Sequence, residues 1–392
     1  MAERRLALVP TRYGDDVIGG SEAVIREAAH GLAARGWEVE ILTTCARSHY
    51  TWENAYEPGT STDGELTIRR FATVVDGDKL ARDTIERRIQ LGLPIGRDDQ
   101  LTWLNGTLRV PDLFHHLLRH QAGYHAVVLS PYLFWATVTC SLVAPAKTVV
   151  MPCLHDEYYA YLELFRPVLG DVGQVWFLSE PEHELAHRLG PVAPHHVTGA
   201  GVRVPEAYDP EGWRRRRGIE RPFILYAGRR EGGKGWLQLL GAYTRAVVDY
   251  GLDLDLVSMG VGPVEPAAVV ADRVVDLGFV DAAEVPDVFA AAAAYVQPSQ
   301  NESFSRTVME AWLAGTPVIA NAASEVVRWH CRRSGAGITY DDPDELVHAL
   351  LLVGEEPAAL RRMAAAGADY VLSEYSWSTV LDRMETALEK LP

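Results

Sequence analysis

The sequence predicts an α/β protein with two doubly wound, Rossmann-like domains, and three observations lead to this fold class. Near the N-terminus two apolar runs, Leu6–Val9 and Val39–Thr43, flank a helical segment, which is the pattern of a βαβ unit. The segment 205–217 is rich in Pro, Glu, Asp and Arg and interrupts the alternation. The alternation starts again at Phe223, so this segment marks a boundary between two domains.

The composition is that of an acidic globular protein. The chain has 392 residues, of which 48% are apolar and 23% charged, so it can bury more than one core. The net charge is −16, because 53 Asp and Glu outnumber 37 Lys and Arg. This balance argues against nucleic acid as a partner and against docking on anionic lipid through bulk charge. Peripheral contact with a membrane through a local basic patch stays open.

The cysteines and the N-terminus predict a cytoplasmic protein. The apolar run before Pro10 is too short for the core of a signal peptide, and no stretch reaches the length of a transmembrane helix. Four cysteines stand far apart and form no Cys-x-x-Cys pair, which is typical of reduced thiols. They are Cys45, Cys140, Cys153 and Cys331.

Two glycines, Gly19 and Gly20, precede the first predicted helix, Ser21–Ala34. Glycine lets a ligand approach the backbone closely, and a helix N-terminus attracts phosphate. The spacing is not the Gly-x-Gly-x-x-Gly of dinucleotide-binding proteins. The pattern predicts either a phosphate-binding loop or a plain turn.

The rest of the first half is less regular. A stretch without periodicity predicts a long loop at 45–65, and Thr67–Phe71 predicts a strand. The segment 77–121 predicts helices that are interrupted at Pro94 and Pro111. Its arginines either line an acceptor site or form a solvated face, and we favour the solvated face. They are Arg82, Arg87, Arg88 and Arg97.

A polar segment with His155, Asp156 and Glu157 follows the predicted strand Thr148–Met151. Open α/β sheets bind ligands at the carboxyl ends of their strands, so His155 is a candidate ligand contact. A loop histidine satisfied by Asp156 is the equal alternative.

The run His183-Glu184-Leu185-Ala186-His187 has the His-Glu-x-x-His spacing of zinc hydrolases. Such enzymes need a third ligand, and Glu206 is the downstream residue to consider. The run 190–194 contains Gly and two Pro residues, which break the helix that would deliver this ligand. A surface helix with two histidines one turn apart is therefore favoured over a zinc hydrolase, and metal analysis distinguishes the two.

A glycine-rich loop, Gly228–Gly235, follows the predicted strand Phe223–Ala227 and carries Arg229 and Lys234. It is not a Walker motif, because the Gly-Lys-Ser/Thr order is absent. Two cations that converge on a diphosphate can offset its charge as it leaves, without a divalent metal. An exposed basic turn is the alternative.

The segment Asn301–Asn321 predicts a polar loop, a helix and a buried strand. Glu302 lies in the loop, and Glu310 lies more than one turn inside the helix. The free N–H groups of 303–306 would point outward between them and favour phosphate. A ligand held there could place one hydroxylated part near each glutamate, as a nucleotide sugar would. Two solvated glutamates at a helix start are the alternative.

Glu302 and Glu310, followed by Ala-Gly-Thr-Pro-Val, resemble the donor-binding signature of retaining glycosyltransferases of family 4, which have the GT-B fold. The resemblance implies two Rossmann-like domains that face each other across a cleft. Residues 1–205 would form the N-terminal acceptor domain and 206–374 the C-terminal nucleotide-sugar donor domain. A last helix, 375–392, would cross back to the N-terminal domain.

The same resemblance implies an activity. The enzyme would transfer a hexosyl group from a UDP- or GDP-sugar to an acceptor hydroxyl, with retention of the anomeric configuration. The acceptor would be lipid-linked or a small molecule, in glycan, glycolipid or glycosylated-metabolite biosynthesis. No cofactor and no metal would be required. A catalytically silent member that only binds nucleotide sugar or a partner protein is an alternative. Its sequence would lack the acidic or basic residues of the site, and these are present.

Residue roles follow from the resemblance in the C-terminal half. Arg229 and Lys234 would bind the diphosphate, and Glu310 would hold the ribose. Glu302 and the N–H groups of 303–305 would orient the sugar.

In the N-terminal half, Gly19 and Gly20 would close on the phosphates from the opposite domain, and His155 would help to position the sugar. Val280 would face the nucleobase. Many members have glycine at the position of Ser305. The serine side chain narrows the pocket, and this bears on the identity of the donor. The predicted catalytic residues are His155, Arg229, Lys234 and Glu302. The predicted donor-binding residues are Gly19, Gly20, Arg229, Lys234, Val280, Glu302, Ser303, Phe304, Ser305 and Glu310.

Overall fold

A computed structural model describes residues 4–17 and 19–391 of the chain. The chain forms two compact units. The N-terminal unit comprises the chain up to Gly201 together with the segment from Trp377 onward, and the C-terminal unit is Val202–Ser376. Each unit contains one largely parallel sheet with its own helices, so the predicted α/β class with two doubly wound sheets is confirmed.

The sheet of the N-terminal unit has eight strands in the order β3-β4-β2-β1-β5-β6-β7-β8. All neighbours are parallel except β3, which runs antiparallel to β4. The central strands are buried on both faces, which is why they read as continuous apolar runs. The strands are β1 Arg5–Pro10, β2 Glu38–Thr44, β3 Gly59–Asp63, β4 Leu66–Phe71, β5 Ala126–Ser130, β6 Thr148–Val150, β7 Gln174–Phe177 and β8 His195–Val197.

Seven helices of this unit precede residue 201 in the described ranges. The segment 77–121 forms three of them, and the predicted interruptions are confirmed, with Pro111 as the first residue of its helix. Arg82 and Arg88 pair with Asp83 and Asp99. The helices are α1 Gly20–Ala34, α2 Lys79–Gln90, α3 Arg97–Asn105, α4 Pro111–His120, α5 Trp135–Cys140, α6 Arg166–Gly170 and α7 Glu180–Leu189.

The predicted loop at 45–65 is wrong in part, because β3 lies within it. Gly64 and Glu65 form the two-residue turn between β3 and β4, and Gly64 has a φ of 57°. A glycine between two strands is a hairpin signal in its own right, since glycine adopts positive φ without cost. The strand β8 is also absent from the sequence prediction, because three residues carry too little pattern.

The C-terminal unit has a six-stranded sheet in the order β11-β10-β9-β12-β13-β14, with all neighbours parallel. An apolar core separate from that of the N-terminal unit packs on this sheet. The strands are β9 Phe223–Ala227, β10 Asp255–Met259, β11 Val274–Gly278, β12 Ala294–Gln297, β13 Val318–Asn321 and β14 Gly337–Tyr340.

The helices of this unit include one in the segment that the sequence marks only as a boundary. Helix α8 begins there because the Asp209 side chain accepts from Gly212 N, and it ends at Gly218, which has left-handed backbone. The helices are α8 Pro210–Arg217, α9 Trp236–Tyr250, α10 Val285–Ala291, α11 Arg306–Leu313, α12 Glu325–Ser334, α13 Pro343–Glu355 and α14 Pro357–Glu374. Within the described ranges, no helix combines the length and apolar character that crossing a membrane requires.

The last helix, α15 (Trp377–Leu388), belongs to the N-terminal unit. It packs beside α1. The Arg35 guanidinium contacts Asp382 at 2.7 Å and Glu385 at 2.8 Å, and Trp37 Nε1 donates to Glu385 at 2.9 Å. These contacts complete the N-terminal unit with residues that lie far away in the sequence.

Candidate functional site

The predicted donor residues of the C-terminal unit gather at one edge of its sheet. The strands β9, β10, β11 and β12 are parallel neighbours, so the loops that follow them emerge at the same edge. Residues 229 and 234 follow β9, residue 280 follows β11, and 302–305 follow β12. Glu310 lies one turn inside α11, the helix that begins after this last loop.

The loop after β9 brings one predicted cation onto one predicted carboxylate. Lys234 Nζ donates to Glu302 Oε1 at 2.8 Å, across 68 residues of sequence. Tyr226, in β9, also holds this loop in place, because its hydroxyl donates to the carbonyl oxygen of Arg229 at 2.7 Å. Arg229 contacts Glu231 at 3.2 Å and is more than a third exposed. The structure therefore joins Lys234 and Glu302 directly and leaves Arg229 at the surface of the same loop.

The adjacent arginine, Arg230, has a different role from that of Arg229. Its side chain is buried and donates to Ser258 Oγ at 2.7 Å and to the carbonyl oxygen of Gly262 at 2.9 Å. It also pairs with Asp276 at 3.1 Å. Arg230 thus joins the loop after β9 to the strands β10 and β11 and to the turn after β10. The sequence analysis selected Arg229 and did not select Arg230. Adjacent side chains in extended backbone point to opposite sides, which is consistent with different roles for the two arginines.

Helix α11 lies in the segment where the sequence predicts a helix, but its N-terminal residue is not capped by a side chain. The helix begins at Arg306 and Ser305 is its N-cap residue, but the Ser305 side chain does not cap it. Instead, Ser305 Oγ accepts from Gln297 Nε2 at 2.8 Å. Ser305 has a φ of 67°, a left-handed conformation that glycine adopts most easily. This backbone geometry explains a preference for glycine here, and the Gln297 bond holds the serine side chain in place.

The remaining acidic and apolar residues of the site differ in exposure. Glu302 is mostly covered, whereas Glu310 is about a third exposed, with a carboxylate oxygen 4.0 Å from the Arg306 guanidinium. The Phe304 ring is buried against the rings of His330 and Tyr375. Any ligand contact of Phe304 would therefore use its backbone.

The turn after β11 places an aromatic ring at the same edge. Val280, the predicted contact of the nucleobase, is buried, whereas Phe279 beside it is 64% exposed. Gly278 has a φ of 63°, which sets the direction of this turn. Sequence reasoning named the turn and chose the residue whose side chain points inward.

In the N-terminal unit, Gly19 and His155 lie at one edge of the sheet. They follow β1 and β6, which flank β5 in parallel. A Cβ at Gly19 would lie 2.1 Å from Glu22 Oε2, so this position accepts no side chain without a shift, whereas Gly20 has open space. His155 is half-buried with Nδ1 3.8 Å from Glu157.

A buried carboxyl group, that of Glu182, attaches the His155 loop to helix α7. Glu182 Oε1 accepts from Leu154 N at 2.6 Å, and Oε2 accepts from Leu178 N at 2.5 Å. Burial raises the pKa of Glu182 to about 8, although these N–H donors act in the opposite direction. Sequence reasoning missed Glu182, because an acidic residue in the first turn of a helix is ordinary at the surface.

The His-Glu-x-x-His residues lie on α7 of the N-terminal unit, with Glu184 exposed. The third side chain beside His183 and His187 is His195 on β8. Glu206, the downstream residue considered from the sequence, belongs to the C-terminal unit. The geometry therefore supplies a third nitrogen donor in place of a carboxylate.

Comparison with known proteins bears on this arrangement. Residues 221–356 match the family model of glycosyl transferases group 1. This range lies inside the C-terminal unit and contains all the predicted donor residues of that unit. The chain is 29% identical over 250 residues to the MMP alpha-(1->4)-mannosyltransferase of Mycolicibacterium hassiacum, covering 60% of this chain and 58% of that protein. It is 34% identical over 137 residues to the 2-deoxystreptamine glucosyltransferase of Streptomyces kanamyceticus, covering 30% of this chain and 35% of that protein.

The solved structures show the fold over nearly the whole chain. Sucrose-phosphate synthase from Thermosynechococcus elongatus has a TM-score of 0.75 at 18% identity, covering 99% of this chain and 98% of that chain. Anabaena HepE in complex with UDP-glucose has a TM-score of 0.71 at 16% identity, covering 99% and 100%. The chain has the GT-B fold. It spans less than two thirds of the length of the curated relatives that it matches.

Gly235, at the end of the loop after β9, lies where the structure leaves no room for a side chain. Gly235 has a φ of 69°, and a Cβ there would lie 2.3 Å from the carbonyl oxygen of Pro298. We expect Gly235→Ala to cost about 2–4 kcal/mol, from left-handed backbone and overpacking together. Gly233→Ala is the matched control, since a Cβ there meets nothing within 4 Å. Urea unfolding measures both, and equal stability of the two variants would contradict the prediction.

Proposed function

We propose that this protein is a glycosyltransferase that moves a hexosyl group from a nucleoside diphosphate sugar to an acceptor hydroxyl, with retention of configuration. The observation that carries the proposal is the Lys234–Glu302 pair at the start of α11, with Glu310 one turn further on. The match of residues 221–356 to glycosyl transferases group 1 supports it. The named relatives transfer mannosyl and glucosyl groups, which supports a hexose as the group transferred.

The charges of the site suit a departing diphosphate. In the transfer, the bond from the anomeric carbon to the diphosphate oxygen breaks, and the electron pair stays on that oxygen. Lys234, Arg229 and the N–H groups at the start of α11 would offset the negative charge that develops. The anomeric carbon bonds to the acceptor oxygen, and the acceptor proton passes to the departing diphosphate. These groups supply the stabilisation without a metal, so we propose a reaction that needs no bound cation.

The carboxylates would orient the two ends of the donor. Glu302 would accept from sugar hydroxyls while it keeps Lys234 in position, and Glu310 would accept from the ribose hydroxyls. Phe279, which is exposed beside Val280, would offer a face to the nucleobase. We propose the N-terminal unit, with Gly19, Gly20 and His155 at the edge of its sheet, as the acceptor domain. The acceptor would be lipid-linked or a small molecule, and the enzyme cytoplasmic.

Thermal unfolding with UDP, GDP, ADP, CMP and dTDP tests the proposal. A ligand at 100 times its Kd adds about 2.7 kcal/mol to the free energy of unfolding. We expect UDP or GDP to raise the melting temperature of the wild type and to lose this effect in Glu310→Ala. UDP is the first nucleotide to try, because HepE, a structure of this fold, is in complex with UDP and UDP-glucose.

Glu325→Ala is the control, because Glu325 is a glutamate near the start of another helix, α12, of the same unit. It should keep the full ligand effect. The proposal fails if no nucleotide shifts the wild type, or if Glu310→Ala responds as the wild type does. Transfer of radiolabelled hexose from the stabilising donor to a panel of lipid and small-molecule acceptors then identifies the acceptor class.

A further inference from the structure

We propose that His183, His187 and His195 form a binding site for a divalent transition metal ion, with Zn²⁺ as the ion to test. The ligand atoms of the three imidazoles all lie within 4.8 Å of one another. The three residues belong to the N-terminal unit, and the proposed transfer reaction uses none of them.

Helix and strand geometry bring the three rings together. His183 and His187 are four residues apart on α7, so they lie on the same face of the helix, with ring centroids 4.5 Å apart. His195 is the first residue of β8, which pairs in parallel with β7 directly before α7. Its ring stacks on that of His183, with centroids 4.1 Å apart. A β-α-β connection thus presents two helix histidines and one strand histidine to a common point.

The orientation of His183 suits a metal ligand. Its Nδ1 lies 3.5 Å from a carboxylate oxygen of Glu180, which favours a proton on that nitrogen. Its Nε2 is buried and has no hydrogen-bond partner among residues 4–17 and 19–391. Metal-bound histidines commonly donate their other ring nitrogen to a carboxylate, which fixes the ring and leaves the second nitrogen for the ion. A buried nitrogen without a partner is also costly, so an occupant would relieve that cost.

The remaining distance is closed by side-chain rotation. Nitrogen–zinc bonds are 2.0–2.1 Å, so two nitrogens on a tetrahedral ion are about 3.3 Å apart. His187 and His195 are both exposed, so their side chains have room to turn toward His183. Three imidazoles leave a fourth position for water, and imidazole suits Zn²⁺, Cu²⁺ and Ni²⁺ better than Mg²⁺ or Ca²⁺.

Such an ion would link α7 to the edge strand β8. The strand has only three residues and pairs on one side, so it gains little from the sheet alone. The helix also holds the His155 loop through Glu182. A metal at this site would therefore stabilise the edge of the sheet and the helix that carries this loop.

Isothermal titration of untagged, EDTA-treated protein with Zn²⁺ tests the site. We expect one equivalent to bind, and His195→Asn to bind at least about tenfold more weakly. His196→Asn is the matched control, because His196 is the next residue of β8, lies outside the cluster and should leave binding unchanged. Tetrahedral absorption bands of the Co²⁺-loaded wild type, lost in His195→Asn, provide an independent readout.

His195 is exposed, so its replacement should leave the fold intact, and circular dichroism checks this. The inference is overturned if the wild type binds no Zn²⁺ at 100 µM, if His195→Asn binds as tightly as the wild type, or if His196→Asn weakens binding equally. None of these measurements depends on transferase activity.

Discussion

Lys234→Met should lower kcat/KM for the donor by about 10²–10³-fold, which is the usual cost of removing one group that stabilises developing negative charge. Lys234 is the cation that the fold places on Glu302, so its loss removes both the charge for the diphosphate and the partner that positions the carboxylate. The lower kcat/KM should include a lower kcat and not only a higher KM, because the charge on the diphosphate grows as the bond breaks.

Two variants make this result specific. Lys234→Arg keeps the charge and should retain part of the activity, although guanidinium geometry differs from that of an ammonium group. Lys79→Met removes an exposed lysine of the N-terminal unit and should leave the kinetics unchanged. Unchanged kcat/KM in Lys234→Met, with donor binding intact, would exclude Lys234 from the reaction.

Glu182→Gln should lower the free energy of unfolding by about 1–3 kcal/mol at pH 5, because the amide turns an N–H group toward a backbone N–H. Both carboxyl oxygens of Glu182 accept from the backbone, at Leu154 and at Leu178, and an amide can replace only one of them. The loop that carries His155 should loosen as a result. Glu184→Gln, on the same helix but exposed, is the matched control and should have little effect.

The raised pKa of Glu182 determines whether the stability of the protein increases or decreases with pH. Its pKa is about 8 in the folded protein, against 4.5 for the unfolded chain, so the folded state keeps a proton that the unfolded state loses. Stability from this group is therefore present below pH 4.5 and decreases as the pH rises toward 8.

The wild type should lose up to about 1.4 kcal/mol per pH unit in this window through Glu182, a slope that Glu182→Gln lacks. Between pH 5 and pH 8 this loss amounts to roughly 3–4 kcal/mol, so the stability advantage of the wild type over Glu182→Gln should shrink with rising pH and reverse sign toward pH 8. Urea unfolding at pH 5, 6.5 and 8 measures it, and parallel slopes would show that Glu182 does not titrate there.

Much of the C-terminal sheet could be predicted from the sequence. The strands β9 and β13 lie where the apolar runs place them, because strands buried on both faces are continuous apolar segments with glycine or proline at their ends. Short elements such as β8 and β14 could not be predicted this way. Three or four residues form a strand there because a neighbouring strand offers its edge, and that neighbour lies elsewhere in the sequence.

The site shows the same division. The residue types and their places after strands indicate which loops reach the carboxyl edge, and the resemblance selects among them. The sequence does not reveal that Lys234 contacts Glu302, that Arg230 is buried, or that Ser305 bonds to Gln297. Each of these contacts joins residues from different elements, and their side-chain directions depend on packing that no local pattern encodes.

Helix α15 has a consequence for how the protein is made. The N-terminal unit lacks the partners of Arg35 and Trp37 until residues 377–388 have left the ribosome. Synthesis proceeds at about 5–20 residues per second, so tens of seconds pass between the synthesis of α1 and that of α15, which packs against it. During this time the whole C-terminal unit emerges and can fold. During that interval the exposed face is a target for chaperones, and a fragment that stops at Gly201 should be prone to aggregate.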